Sequence, residues 1–238
     1  MLFLRAFLYY LSLAVVTPIY SVFFVLSIPL PYRVTFGLAV SWISLNLRLL
    51  RLICGVRSDI QGLENIPPGP AVILCKHQSA WETMAMVEIF PPFVWVLKRE
   101  LFLIPFFGWG LASLLPIAID RKKGVRALKQ VAEQGRERLE QGLWVLLFPE
   151  GTRVKPGEKR AYLPSAGLIA TETGFPIVPV AHNAGLYWPK GSFTKRPGTI
   201  RCVIGPVLDG TCLSSREIMA QAEDWIETTC AELLVGND

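Results

Sequence analysis

Two side chains in the first third of the sequence have the types needed for acid–base chemistry. His77 is one of only two histidines, and Glu82 follows it by five residues. A neutral imidazole can take a proton from a hydroxyl, and a carboxylate on its other ring nitrogen would fix the tautomer and stabilise the imidazolium. Positions five apart on a regular helix point roughly 140° away from each other, so the pair can meet only if His77 precedes the helix. Alone, so short a pattern favours a capping or packing histidine.

The second polar motif, Phe148-Pro149-Glu150-Gly151-Thr152-Arg153, is more specific. An arginine can clamp a phosphate with two parallel hydrogen bonds, while Thr152 and main-chain N–H groups add donors and Gly151 permits close approach. Glu150 could bind a substrate hydroxyl or hold an arginine in place. The motif therefore indicates an anion site, with a turn that carries a surface ion pair as the alternative.

Short apolar runs alternate with amphipathic helical patterns from residue 71 to residue 234. They predict strands at 71–75, 93–97, 115–119, 143–148, 177–181 and 199–204, and helices at 82–90, 125–142, 165–173 and 214–234. Such alternation predicts an α/β fold with a mixed, largely parallel sheet flanked by helices. Both polar motifs follow directly after strands, which is where open α/β sheets gather their sites.

The N-terminal segment is far more apolar than the rest. Residues 6–32 contain no charged side chain. A helix needs about 20 apolar residues to span a bilayer, so this segment is long enough. The second run, at 34–47, has 14 residues and favours an interfacial or re-entrant helix. We expect residues 1–56 to form a helical membrane anchor, as one span or, preferably, a two-helix hairpin. A cleaved signal peptide is disfavoured by the length of the apolar region.

Charge and cysteine content exclude several other classes of protein. The net charge of +5 beside an apolar N-terminus favours anionic membrane lipids as partners, and no basic block indicates nucleic acid. Arg48, Arg51 and Arg57 follow the apolar runs, so the main domain is expected on the cytoplasmic side. Five scattered cysteines without a CxxC motif predict buried free thiols, and neither a disulfide framework nor a metal site is expected.

Taken together, the motifs resemble the four ordered blocks of the glycerolipid acyltransferase family. Five stretches of this sequence occur in the order and spacing of these four blocks: His77–Glu82, Lys98–Gly108, Ile119–Arg121, Phe148–Arg153 and Ile177–Val180. The resemblance covers most of residues 57–185, and the apolar N-terminus is similar to that of bacterial members. One position departs from the family pattern, because the first block usually ends in aspartate and here ends in Glu82. We expect activity to be retained because the other blocks are intact.

The resemblance implies an acyltransferase catalytic domain at 57–238 in a bacterial inner membrane protein. Its reaction would move an acyl chain from acyl-CoA or acyl carrier protein to the sn-2 hydroxyl of the lysophospholipid 1-acyl-sn-glycerol-3-phosphate, giving phosphatidic acid. His77 would be the base and Glu82 its orienter, with Pro179 shaping the acyl-donor site. No metal or bound cofactor is implied. The residues implied in phosphate and glycerol binding are Lys98, Arg121, Glu150, Gly151, Thr152 and Arg153.

Other functions stay open at this stage. The acceptor could be another lyso-lipid, such as lyso-ornithine lipid, which lacks the phosphate. A membrane lipid-binding protein that lost catalysis through the change at Glu82 is an alternative from a different class. A hydrolase is disfavoured because the sequence has no GxSxG motif. His182 lies beyond the last block and is expected to be structural or peripheral.

Overall fold

The computed structural model describes residues 1–120, 124–211 and 213–235, which contain a seven-stranded sheet. The strands are β1 (Val56–Gln61), β2 (Val72–Cys75), β3 (Phe93–Lys98), β4 (Ile117–Ile119), β5 (Trp144–Leu147), β6 (Ile177–His182) and β7 (Gly198–Ile204). Their order in the sheet is β1-β7-β6-β2-β5-β3-β4. Strands β6, β2, β5, β3 and β4 run parallel, while β7 and its neighbour β1 run antiparallel to them. The predicted mixed, largely parallel sheet is confirmed.

Helices cover both faces of the sheet. They are α1 (Leu2–Leu26), α2 (Tyr32–Leu49), α3 (Trp81–Ile89), α4 (Phe107–Ala112), α5 (Val125–Glu140), α6 (Ser165–Thr173), α7 (Ala184–Tyr187) and α8 (Ser215–Val235). Side chains alternate along β2, so Ile73 and Cys75 pack on the face that carries α1, α2 and α3, whereas Val72 and Leu74 pack on the face that carries α5, α6 and α8. Helix α6 ends at Gly174 in the left-handed conformation, as predicted.

The second N-terminal helix is longer than predicted. A π-helical turn, Leu50–Cys54, continues α2, so the apolar helix runs over Tyr32–Cys54 for 23 residues instead of 14. Arg48 and Arg51 do not end it, because arginine is a good helix former and its long side chain carries the charge outward. The helix stops at Gly55, whose φ of 73° is left-handed. By length and composition, both this helix and α1 could cross a membrane.

The hairpin of α1 and α2 lies along the domain and is fastened to it near its tip. The Ser21 hydroxyl donates to the Phe106 carbonyl at 2.8 Å, and the Tyr32 hydroxyl donates to the Phe93 carbonyl at 2.8 Å. Phe24 packs so closely on Gly110 that a Cβ there would lie 3.0 Å from its ring. Much of the remaining surface of α1 is apolar and exposed.

The cysteines that the structure describes are buried and unpaired. Cys54, Cys75, Cys202 and Cys230 are free thiols, which confirms the prediction for these four positions. Cys212 lies outside the described residues. Burial raises the pKa of the Cys75 thiol well above its ordinary value, so this side chain is a packing group and a poor nucleophile.

Candidate active site

The carboxyl ends of the parallel strands bring the sequence motifs to one edge of the sheet. His77 follows β2, residues 150–153 follow β5, and Lys98 ends β3. Cys75 of β2 is in register with Val180 of β6, so His182 ends β6 at the same level as His77. Since β2 lies between β6 and β5, His77 occupies the centre of this edge, as expected for a site in an open α/β sheet.

His77 and Glu82 meet across the loop that enters α3. The Nδ1 atom of His77 lies 2.8 Å from Oε1 of Glu82, which also accepts the main-chain N–H groups of Gln78 at 2.9 Å and Ser79 at 2.7 Å. The Ser79 hydroxyl in turn accepts the N–H of Trp81 at 3.2 Å. The bonds from the Gln78 and Ser79 N–H groups hold the glutamate in the first turn of α3 with its carboxylate towards His77.

The protonation states of this pair follow from its surroundings. Burial raises the pKa of Glu82, but the neighbouring His182 and the hydrogen bonds from His77 and Ser79 lower it by more. Glu82 is therefore a fully buried carboxylate. Because Oε1 can only accept, the proton of a neutral His77 belongs on Nδ1. The Nε2 lone pair of His77 has no hydrogen-bond partner among the described residues and is available to accept a proton.

His182 lies behind Glu82, fully buried. Its Nε2 is 2.7 Å from the Lys76 carbonyl, and its Nδ1 accepts the Ala184 N–H at 3.2 Å, so the proton sits on Nε2. Burial lowers the pKa of His182, although the charge of Glu82 opposes this shift. Oε2 of Glu82 is 3.8 Å from His182 Nε2 and has no hydrogen-bond partner within the described part of the chain.

The motif after β5 also contacts His77 directly. The Phe148 ring stacks on the imidazole with centroids 4.0 Å apart and an interplanar angle of 15°. The His77 carbonyl accepts the N–H of Val154 at 2.8 Å. Between these two contacts the chain turns at Gly151, whose φ of 65° is left-handed. The two motifs that the sequence analysis singled out therefore form one site.

Glu150 turns inward from this loop. Its Oε1 lies 3.2 Å from Nζ of Lys76 and accepts the His77 N–H at 3.4 Å. Burial raises the pKa of Glu150 to about 7, although the Lys76 ammonium opposes this shift. The sequence predicts that Glu150 binds a substrate hydroxyl or holds an arginine, and its observed partner is Lys76 instead.

Other predicted site residues lie at or near the same edge. Arg153 is half-buried, and its guanidinium makes no hydrogen bond or ion pair with the residues that the structure describes, although its carbonyl accepts Nζ of Lys190 at 2.7 Å. Thr152 is half-buried beside it, and Lys98 is exposed at the end of β3. Arg121 lies outside the described residues. Pro179 is buried within β6 opposite Leu74 and accepts the Gly205 N–H at 2.9 Å, so it shapes the sheet behind the site.

Two residues beside the His77–Glu82 pair have no signal in the sequence. Lys76 adjoins His77 and is 1% exposed, and Glu227 pairs with it from α8. His182, which the sequence predicts to be structural or peripheral, packs behind Glu82. The bond from the Ser79 N–H to Glu82 had a signal in the sequence, since Ser79 precedes Glu82 by three residues. The other contacts depend on which strands become neighbours, and the local sequence does not contain this information.

Comparison with known proteins agrees with this fold. The family model for acyltransferases matches residues 57–183, which is more than half of the chain. The chain belongs to the acyltransferase family and is an acyltransferase of lipid biosynthesis.

Three similar proteins within this family are named as acyltransferases of one kind of lipid acceptor. A 1-acyl-sn-glycerol-3-phosphate acyltransferase of Pseudomonas aeruginosa is 45% identical over 97% of this chain and 91% of that protein. A chloroplastic 1-acyl-sn-glycerol-3-phosphate acyltransferase of Arabidopsis thaliana is 29% identical over 82% of this chain and 56% of that protein. The crystal structure of a 1-acyl-sn-glycerophosphate acyltransferase from Thermotoga maritima has a TM-score of 0.81 at 24% identity, covering 97% of this chain and 95% of that chain. This last similarity shows the shared fold.

Proposed function

We propose that the chain transfers an acyl group from acyl-CoA or acyl carrier protein to the sn-2 hydroxyl of 1-acyl-sn-glycerol-3-phosphate, giving phosphatidic acid. The observation that carries the proposal is the His77–Glu82 pair, with Nδ1 2.8 Å from Oε1 and Nε2 unpaired among the described residues. The names of the relatives above support the choice of acceptor.

In the proposed reaction His77 acts as a general base. Its Nε2 takes the hydroxyl proton as the acceptor oxygen attacks the thioester carbonyl, and the Glu82 carboxylate stabilises the imidazolium that forms. The tetrahedral intermediate then expels the thiolate, which takes the proton from His77. This sequence needs no metal or bound cofactor, because base, nucleophile and leaving group are all provided by His77 and the two substrates.

The acceptor phosphate is assigned to the basic residues along the same edge of the sheet. Arg153 supports this role because its guanidinium is unpaired within the described ranges and it follows the turn that contacts His77. A guanidinium binds phosphate with two charge-assisted hydrogen bonds. Thr152, Gly151 and Lys98 would complete the site, and Arg121 is proposed to join them on the family resemblance alone.

The N-terminal residues 1–56 are proposed to hold the domain 57–238 on a membrane as an embedded hairpin. Support comes from the contacts of Tyr32 and Ser21 with the domain, which leave the hairpin lying along its surface. Trp109 and Phe106, 54% and 43% exposed beside α1, extend the apolar surface. In a bacterium we place the domain on the cytoplasmic side of the inner membrane, where Arg48 and Arg51 would meet anionic headgroups.

Acceptor competition tests this function. Purified protein is incubated with a labelled acyl thioester and an equimolar mixture of lysophosphatidic acid, lyso-ornithine lipid and monoacylglycerol. We expect phosphatidic acid as the main labelled product, because only one of these acceptors offers a phosphate to Arg153. Labelled ornithine lipid as the main product would replace the proposed acceptor. Absence of every acylated product, with both acyl-CoA and acyl carrier protein as donors, would instead favour a lipid-binding protein.

A further inference from the structure

A buried ion-pair network lies immediately beside the His77–Glu82 pair. Nζ of Lys76 is 2.5 Å from Oε1 of Glu227 and 3.2 Å from Oε1 of Glu150. The Tyr162 hydroxyl donates to the same Glu227 oxygen at 2.9 Å. Glu227 lies on α8, outside the stretch that matches the family model. One lysine therefore joins the loop after β5 to the C-terminal helix.

Several contacts fix the main chain from Lys76 to the N–H of His77. Glu150 receives the Lys76 ammonium and the His77 N–H on one oxygen. The Lys76 carbonyl accepts His182 Nε2–H at 2.7 Å, and the Lys76 N–H donates to the Val180 carbonyl at 3.0 Å. Since the His77 ring is attached to this segment of main chain, its position relative to Glu82 depends on these contacts.

The charges in the network suit a permanent tether. Burial lowers the pKa of Lys76, but the hydrogen bond to Glu227 and the charges of Glu150 and Glu227 raise it by more. Lys76 therefore remains an ammonium group at 1% exposure. The pair of Lys76 and Glu227 is the permanent part of this tether, because separating a buried cation from its carboxylate leaves both charges without compensation.

We propose that Lys76 is a positioning residue for His77, with Glu227 of α8 and Tyr162 of the segment before α6 as its supports. By holding Glu150 against the His77 N–H, it keeps the imidazole in hydrogen-bond contact with Glu82. This inference rests on the proposed function in taking His77 as the base. It adds α8 to the parts of the chain that shape the catalytic centre.

The test must separate positioning from simple stability. Removing Lys76 alone would leave two buried carboxylates unpaired, whereas replacing both members of a buried ion pair by neutral groups of similar size is often tolerated. The informative variant is therefore Lys76→Met combined with Glu227→Gln. Lys195→Met is the matched control, because Lys195 is also 1% exposed but sits among Tyr10, Trp188 and Phe193 near α1.

Two readouts are compared at equal folded fraction, judged by thermal melting. The first is the downfield Nδ1–H proton resonance of His77, which is assigned by its absence from His77→Ala and needs no substrate. The second is kcat and KM for the acceptor. In the double variant we expect loss of the resonance and a fall in kcat of about tenfold to a hundredfold, with KM within about twofold. Lys195→Met should keep both the resonance and kcat.

The two proposals fail in different ways. If the wild-type protein shows the resonance but acylates no lysophospholipid, the proposed function fails, while loss of the resonance in the double variant still supports the role of Lys76. A folded double variant that keeps the resonance, or that turns over at the wild-type rate, overturns the inference. If the double variant fails to fold, Tyr162→Phe is used instead, because it removes one hydrogen bond from Glu227. This variant must weaken the His77 resonance and lower kcat, with both effects several-fold smaller than those expected for the double variant.

Discussion

Glu82 reaches His77 from the first turn of α3, with Oε1 2.8 Å from Nδ1, while its Oε2 faces His182 at 3.8 Å. The glutamate side chain therefore spans the distance from the helix to the histidine. The main-chain N–H groups of Gln78 and Ser79 hold the same oxygen in place. The glutamate found where the family usually has aspartate is accommodated by this geometry.

The first prediction concerns the charge and length of residue 82. Glu82→Gln keeps the size but removes the charge that stabilises the imidazolium, so kcat should fall by about 100-fold or more. Glu82→Asp keeps the charge but is one methylene shorter, so misplacement of the pair should lower kcat by roughly tenfold to a hundredfold. Acylation kinetics with lysophosphatidic acid measure both. Activity that appears only in Glu82→Asp would instead support the non-catalytic lipid-binding alternative.

The second prediction uses the raised pKa of Glu150. Folding raises this pKa from 4.5 to about 7, so the folded state favours the protonated form. The resulting stabilisation is fully present below pH 4.5 and is lost as the pH rises through about 7. Relative to Glu150→Gln, the unfolding free energy of the wild type should therefore fall by about 3 kcal/mol across this range. Denaturant titrations in detergent at several pH values measure the difference, and a value that rises with pH would contradict it.

The third prediction concerns the acceptor phosphate. Arg153→Ala removes a guanidinium that makes no hydrogen bond or ion pair with the described residues. Its loss should therefore act mainly on binding of the acceptor phosphate. A charge-assisted hydrogen bond contributes about 1.5–3 kcal/mol, and KM for lysophosphatidic acid should rise roughly tenfold to a hundredfold. Steady-state kinetics with monoacylglycerol are the control, because this acceptor has no phosphate to lose. Equal losses with both acceptors would show that Arg153 acts on the fold of the loop.

The fourth prediction concerns the apolar surface beside α1. Trp109 is 54% exposed on α4, and a charge at this position would have to enter the lipid interface. Trp109→Glu should therefore weaken binding to vesicles that contain anionic lipid, measured by flotation. Gln141→Glu is the matched control, because this exposed residue at the end of α5 lies on the opposite face of the sheet. Equal binding by both variants would argue against the proposed membrane surface.

Much of the fold was predictable because local patterns determine it. The apolar runs at 71–75 and 177–181 match β2 and β6, and Gly174 ends α6 as its conformational freedom requires. The predicted length of the second N-terminal helix is wrong, because the apolar run stops before Arg48 whereas the helix continues to Cys54. The charge of Arg48 limits the apolar run, but it does not end the helix.

The site was predictable only where its residues are close in sequence. His77 and Glu82 are five residues apart, and the loop before α3 brings them together. Lys76 and Glu227 are separated by 151 positions, and their contact depends on how α8 packs against the sheet. The pairing of β6 with β2, which places His182 behind Glu82, likewise follows from the tertiary fold.

The most direct measurement is the rate of phosphatidic acid formation by wild-type protein and His77→Ala, with lysophosphatidic acid as acceptor and acyl-CoA or acyl carrier protein as donor. Wild-type protein should form phosphatidic acid with at least one donor. His77→Ala should melt within a few degrees of the wild type, while its kcat falls by about 100-fold or more because no base remains for the hydroxyl proton. Wild-type protein that is inactive with both donors, or His77→Ala at the wild-type rate, would contradict the proposed mechanism.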